Sequence, residues 1–352
     1  WHNTAIAMIG FSVDDFFIVS EAVNDKNNGF VFQLENSITP DGFWYESSWG
    51  YHFYALRPLV YLAEMLFRSG LDFTKNNLLL SMFKFPILFS EPDGSLPCFN
   101  DSGTANLKSY KSLFEIAYRW TDDPLFSIPL DNNDRPIEAL FWGRETIDKS
   151  TIVDDTSNIF KDSGYLIMRS NYKNDPIYLA LDFGPHGGWH GHYDKLGFVL
   201  YALGKEVAVD SGTHSYALPI HDGYDRTTLA HNTVVVDLKN QREGEGRFDY
   251  LISVRDINLA KVGADSIYEG ITQTRHIFLN RNYVIDDFVL RALDDKIHKY
   301  DYIIHLKGEF EDIENYTQYS FDGGDGYSYL KDPKGVDIDY SRFLVLNYSD
   351  SS

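Results

Sequence analysis

Three histidines within seven residues, in Gly184-Pro185-His186-Gly187-Gly188-Trp189-His190-Gly191-His192-Tyr193-Asp194, are the densest concentration of chemistry in the sequence. The interleaved glycines let backbone and side chains approach a ligand closely. Imidazole is the side chain best suited to move a proton near neutral pH or to bind a metal. A loop that only reverses the chain has little use for three titratable rings. Downstream lie Asp210, in Val207-Ala208-Val209-Asp210-Ser211-Gly212-Thr213, and His231, in Leu229-Ala230-His231-Asn232-Thr233. With His192 they supply two imidazoles and one carboxylate, a nitrogen and oxygen set suited to zinc with water in the fourth place. A hydrogen-bonded His and Asp network that locks neighbouring strands uses the same residues, and ligand chemistry alone leaves both readings open.

A second concentration is Asp41-Gly42-Phe43-Trp44-Tyr45-Glu46-Ser47-Ser48-Trp49-Gly50-Tyr51-His52, which opens a helix with Ser47 or Ser48 as cap. From residue 1 to about 140 the spacing is helical. Tyr51 to Leu66 repeats apolar residues at three and four, with Gly70 as the stop signal, and Ser112 to Trp120 follows the same rule. Asp41-Gly42 and Asp93-Gly94 mark turns between helices. After about residue 150 short β runs take over: Tyr165-Arg169, Ile177-Leu181, Phe198-Ala202, Thr233-Asp237, Tyr283-Asp286 and Tyr302-His305. Strands without intervening helices predict an antiparallel sandwich. The Asp-, Pro- and Asn-rich stretch 121–155 reads as the linker.

The chain has 352 residues, 43% of them hydrophobic, which is enough for two ordinary cores. Its 25 Phe, 24 Tyr and 6 Trp serve core packing first, with a remainder free to stack on sugar rings. A formal net charge of −21 argues against nucleic acid or an anionic membrane as partner. An anionic glycan meets the same repulsion, so such a substrate requires a cleft that gathers Arg, His and Lys locally. Cys98 is the lone cysteine and forms no internal disulfide. No run reaches the roughly 18 apolar residues of a membrane span. The opening Trp1 to Gly10 reads as a helix already under way with no initiator Met, which predicts a truncated piece whose missing N-terminal part would carry any export signal.

Taken together, Trp1-His2-Asn3, Asp41 to Leu56, Gly184 to Leu196, Asp210 to Thr213, and Arg226 to Val234 with Gln241 behind resemble the heparinase II/III-like lyases. The branch they are most similar to holds the exolytic oligoalginate and heparin lyases. The resemblance implies an α+β chain, with the C-terminal part of an incomplete α/α toroid over residues 1–140 and an antiparallel β-sandwich over 150–352, and the cleft between them. Carried over residue by residue, it assigns catalysis to Tyr51, His190 and His2, and a structural Zn2+ to His192, Asp210 and His231. Asn3, Glu46, His52, Trp189, Tyr216 and Arg226 are expected to contact substrate. The implied partner is an anionic uronic-acid oligosaccharide or polysaccharide, alginate or heparin in kind. The implied reaction is exolytic β-elimination in the periplasm or outside the cell.

Two other classes use the same ingredients. A glycoside hydrolase would recruit two of Asp41, Glu46, Asp101 and Asp194 about 5 to 10 Å apart across a cleft. A glycan-binding module would stack sugars on the aromatics and use the histidines only to build the fold. A zinc hydrolase is disfavoured, since no His-Glu-x-x-His pattern is present.

Overall fold

A computed structural model describes residues 1–148, 156–170, 176–310, 316–321, 323–336 and 348–349. The last part of the expected linker, 149–155, and most of the end of the expected sandwich range lie outside the described residues. Six main helices come first: α1 His2–Ser12, α2 Phe16–Asn24, α3 Phe30–Asn36, α4 Trp49–Arg68, α5 Asn77–Phe89 and α6 Lys111–Thr121. Asp15 caps α2 by accepting from the Phe17 and Ile18 amides at 3.0 and 3.3 Å, and Asn76 caps α5 through the Leu79 amide at 3.0 Å. The expected helix Tyr51–Leu66 extends by two residues at each end, and Gly70 follows it at φ +90°. Ser48 is its N-cap residue, but its hydroxyl is turned to the Asp101 carbonyl, 2.8 Å away, and not to its own helix.

Along α4 the residues Phe53, Leu56, Val60, Ala63 and Leu66 fall on one buried stripe, as a 3.6-residue period requires. Thr4 donates to the Pro58 carbonyl at 2.9 Å, which ties α1 to the middle of α4. Glu64 joins α4 to α6 by accepting from Trp120 Nε1 at 2.9 Å and from Arg119.

A two-residue ladder, β1 Ser95–Leu96 with β2 Ala105–Asn106, closes the turn before α6. The strands then form two antiparallel sheets. One orders β3 Asn158–Phe160, β4 Tyr165–Arg169, β5 Tyr178–Asp182, β6 Phe198–Ala202 and β7 Lys205–Ala208 as neighbours. The other orders β12 Val284–Ala292, β11 Ile271–Leu279, β10 Ile257–Tyr268 and β9 Arg247–Val254. A short pair, β8 Val234–Val236 with β13 Tyr300–Tyr302, stands apart. The meander from β9 to β11 was not among the expected strands. In Ile271-Thr272-Gln273-Thr274-Arg275 the buried alternate positions include Gln273 and Arg275, so neither an apolar run nor an apolar alternation marks the strand.

The five-stranded sheet is covered on both sides, which explains why β4 and β5 read as unbroken apolar runs. Leu166, Met168, Leu179 and Leu181 pack on Val262, Ala264, Ile277 and Leu279 of the second sheet. Tyr165, Ile167, Tyr178, Ala180, Val199 and Tyr201 face the helices and share their core. The C-terminal carbonyls of α5, orphaned by helix geometry, are satisfied from this sheet. Arg169 donates to the carbonyls of Leu88 and Ser90 at 2.9 and 2.7 Å, and the Tyr178 hydroxyl donates to that of Phe89 at 2.6 Å.

Just beyond α5, buried Glu91 meets Glu206 of β7. Burial, and then the charge of Glu206, push the Glu91 carboxyl up to about 9, so it stays protonated and donates to Glu206. A carboxyl raised on folding stabilises fully below its unfolded value and loses that contribution as pH climbs through the folded value. Thermal stability is therefore expected to fall between about pH 5 and pH 9, by at most ~1.4 kcal/mol per pH unit from this group. Glu91→Gln should flatten that slope, as melting temperatures across the range would read; identical slopes would remove the assignment.

Candidate active site

The site forms where the N-terminus of α4 meets the loop between β5 and β6. Asn100 and Asp101, in the turn between β1 and β2, join the two. Asn100, at φ +55°, donates to the Ser47 carbonyl at 3.2 Å and to the Tyr165 hydroxyl at 3.1 Å. Its side-chain oxygen accepts from the His192 amide at 3.0 Å. The Asp101 amide donates to the His190 carbonyl at 3.2 Å. Its buried carboxylate accepts from His190 Nδ1 at 2.8 Å and from His192 Nε2 at 3.0 Å. Burial alone would raise that carboxyl, but the hydrogen bonds from His192 and His190 hold it below the usual aspartate range.

Held in this way, His190 lies against Tyr51 with ring centroids 4.0 Å apart. The Tyr51 hydroxyl is 2.9 Å from that of Tyr216, which in turn donates to Asp101 at 3.1 Å. On its other edge, His190 Nε2 lies 3.6 Å from Glu46, whose second oxygen accepts from Trp44 Nε1 at 2.7 Å. A cleft of about 680 Å³ opens beside this cluster, lined by His2, Asn3, Gln33, Trp44, Glu46, Tyr51 and Tyr54 among others. The Asn3 amide donates to the Asn28 carbonyl within it. A side chain at Gly191 would bring its Cβ to 2.5 Å from the Gly187 amide, so the tight loop requires a glycine there.

Behind the loop, His192 and His231 are fully buried with ring centroids 5.3 Å apart. His231 Nδ1 meets Asp210 at 2.7 Å, and the other Asp210 oxygen accepts from the Gly212 amide at 3.0 Å. His192 Nδ1 and His231 Nε2 have no hydrogen-bond partner. Burial lowers the His192 imidazole. Burial also opposes the charge on His231, but Asp210 outweighs it and raises that imidazole. Two buried, unpartnered imidazole nitrogens are unusual in a folded interior and match the donor chemistry of a borderline-soft cation. Among the described residues, no group of three His, Cys, Asp or Glu side chains is arranged as a metal cage.

The structure thus brings together Tyr51, His190, Tyr216 and Glu46, sets His2 and Asn3 in the adjoining cleft, and groups His192, Asp210 and His231 behind. It corrects the reading of His52 as a substrate contact. That ring is fully buried, with Nδ1 accepting from the Trp44 amide at 3.3 Å and Nε2 2.9 Å from the Met82 carbonyl. Burial drops its pKa to about 4, as expected of a neutral core imidazole. Arg226 is turned to the Gly191 carbonyl and Asp222, while Trp189 is 92% exposed and outside the cleft lining.

The expected local gathering of Arg and Lys is also absent from that lining, where His2 and Glu46 are the titratable groups besides phenols. Of the four carboxylates considered for hydrolysis, Glu46 is the one that lines the cleft. Asp41 is bound to the Ser163 and Asp162 amides, Asp101 holds the histidines and Asp194 pairs with buried Lys195, which leaves Glu46 alone in the cleft. Sequence reasoning missed Asn100 and the orienting place of Asp101. Their only signal was a polar run, Asn100-Asp101-Ser102-Gly103, of the kind found in any surface turn.

A helical layer on a two-sheet antiparallel sandwich, with a phenol from the first and an imidazole from the second meeting beside one cleft, defines an α+β protein with its candidate site between the two parts. Residues 153–336 match the heparinase II/III-like C-terminal family, and the chain belongs to that family. It is 25% identical over 89% of its length to an exo-oligoalginate lyase of Saccharophagus degradans, covering 48% of that protein. It is also 25% identical over 76% of its length to a heparin-sulfate lyase of Bacteroides stercoris, covering 41% of that one. The chain therefore spans about half the length of the curated relatives it matches. Among solved structures, a heparinase III with methylated lysines superposes with a TM-score of 0.72 at 19% identity, over 90% of this chain and 49% of the other. The heparan sulfate lyase HepC from Pedobacter heparinus gives 0.65 at 18%, over 81% and 44%.

Asn100 is the test of how the site is held. Asn100→Ala leaves the buried His192 amide and Tyr165 hydroxyl without a partner, at a cost of about 2 kcal/mol or more. Urea denaturation should show the loss, and an unchanged midpoint would remove Asn100 from the architecture.

Proposed function

We propose that the protein, in its full-length form, is a polysaccharide lyase that cleaves 4-linked uronic-acid glycans by β-elimination from a chain end. The observation that carries this reading is the 4.0 Å contact between Tyr51 of α4 and His190 of the sheet loop at the edge of a cleft that holds His2 and Asn3. The C5 proton of a uronate is only weakly acidic, because its carboxylate must gain further charge as the proton leaves. His2 and Asn3 donate to that carboxylate and stabilise the developing enolate, the electrostatic contribution that usually dominates. His190 accepts the C5 proton, the C5–H electron pair forms the C4–C5 double bond, and the C4–O4 bond breaks. The Tyr51 hydroxyl delivers its proton to the departing O4. When the C5 proton and O4 lie on one face of the sugar, Tyr51 serves both atoms.

A lining without Lys or Arg among the described residues favours a glycan charged through carboxylates alone over a sulfated one. The relative named exo-oligoalginate lyase supports both the alginate-like substrate and the exolytic mode. On this reading, α1 to α6 are the C-terminal part of an α/α toroid, residues 1–140 and 150–352 are its two domains, and the full-length protein works in the periplasm or outside the cell. Incubation of full-length protein with alginate and heparin oligosaccharides should give ultraviolet-absorbing unsaturated ends, one terminal unit at a time, with alginate preferred. Tyr51→Phe, which keeps the ring contact, should lower kcat by ~10² to 10⁴-fold. Products without the unsaturated chromophore would end the lyase reading.

His192 and His231, through the unpartnered nitrogens, together with Asp210, would hold a structural Zn2+. Bound there, the cation's charge would fix the loop that carries His190. Elemental analysis should find zinc in the purified protein, and chelation should lower its melting temperature. Absence of zinc with unchanged melting would remove the proposal.

A further inference from the structure

Asp101 belongs to none of the roles proposed above, yet its carboxylate touches three side chains of the site. Oδ2 receives His190 Nδ1 at 2.8 Å and the Tyr216 hydroxyl at 3.1 Å, and Oδ1 receives His192 Nε2 at 3.0 Å. The side chain is almost wholly buried, so water does not compete for either oxygen. An ionised carboxylate only accepts hydrogen bonds, so each imidazole must turn a protonated nitrogen toward it. The two histidines meet it by different nitrogens, His190 by Nδ1 and His192 by Nε2. Their protons therefore sit on opposite ring positions, and so do their lone pairs.

We propose that Asp101 is a positioning residue whose carboxylate sets opposite tautomers on His190 and His192, leaving His190 Nε2 as a lone pair beside the cleft and His192 Nδ1 as a lone pair facing the interior. For His190 the free nitrogen is the one 3.6 Å from Glu46, which lines the cleft. For His192 it is the buried atom that no protein group satisfies. One carboxylate thus makes the first ring a proton acceptor for substrate and turns the second inward toward His231, whose ring centroid is 5.3 Å away. Without that constraint, His190 could present a protonated Nε2, which cannot accept a C5 proton. The assignment rests on the lyase reading for its catalytic consequence and on geometry alone for the tautomers.

Asp101→Asn separates the two. An amide offers one acceptor oxygen and one donor nitrogen, so it cannot keep both imidazoles in their present forms. Nitrogen-15 NMR of the histidine rings at neutral pH should find Nδ1 protonated on His190 and Nε2 on His192 in the unaltered protein, and one of the two reversed in the variant. Turnover of alginate oligosaccharides by the variant should fall ~10 to 100-fold in kcat, the scale of an orienting partner, with KM within about twofold. A His190 protonated on Nε2 in the unaltered protein would overturn the proposal, and this measurement needs no variant to fold. A folded variant with unchanged kcat, or with only KM altered, would overturn it equally. The expected tautomers in an unaltered protein that forms no unsaturated product would overturn the lyase reading and leave the tautomer assignment standing.

Discussion

The site depends on a short turn, Asn100 to Ser102, that belongs to neither the helix nor the strand it serves. Its groups reach one way to the start of α4, through the Ser47 carbonyl, the Ser48 hydroxyl and the Trp49 amide, and the other way to the backbone and rings of His190 and His192. The Tyr51 to His190 contact follows from those bonds. Neither residue could hold the other by stacking alone, because such a ring pair contributes only about 1 kcal/mol beyond its buried area. Buried hydrogen bonds to a charged acceptor are stronger and directional, and they fix both position and tautomer.

The electrostatics of the cleft differ from what the net charge suggests. A protein of −21 repels polyanions at long range, yet the pocket wall is built mainly of amides, phenols and indoles with His2 and Glu46 among them. Repulsion between exposed charges fades over about 8 to 10 Å at physiological salt, whereas hydrogen bonds inside a cleft act at contact. Recognition of an anion at contact therefore does not require a cationic surface.

Much of the architecture was legible in the sequence. Period three-and-four spacing marked α4, with its stop at Gly70, and apolar runs marked β4, β5 and β6, the three central strands of the first sheet. Of the second sheet only the start of β12, in Tyr283–Asp286, was legible; β11 places Gln273 and Arg275 in buried positions, where Arg275 is satisfied by Asp286 and by carbonyls of Leu196 and Asn232. A pattern search counts such residues as solvent-facing. The histidine loop stood out through residue types, but the residues that aim it, Asn100 and Asp101, were ordinary turn formers whose importance lies in what they touch across the fold. His52 erred the other way. A histidine next to Tyr51 on the same helix points about 100° away from it, here into the core between Trp44 and Met82.

The five-stranded sheet has one further consequence. Tyr165, Ile167, Tyr178, Ala180, Val199 and Tyr201 are covered by the helices, and the last carbonyls of α5 are satisfied by Arg169 and Tyr178 as well as by Ser90. The sandwich is therefore not a portable module. Lifted out and grafted to another scaffold, it would bear a broad greasy face on one side, and α5 left behind would lose the partners of its Leu88 and Phe89 carbonyls. Recombination between relatives would have to exchange both halves of this shared layer at once, or else rebuild the seam.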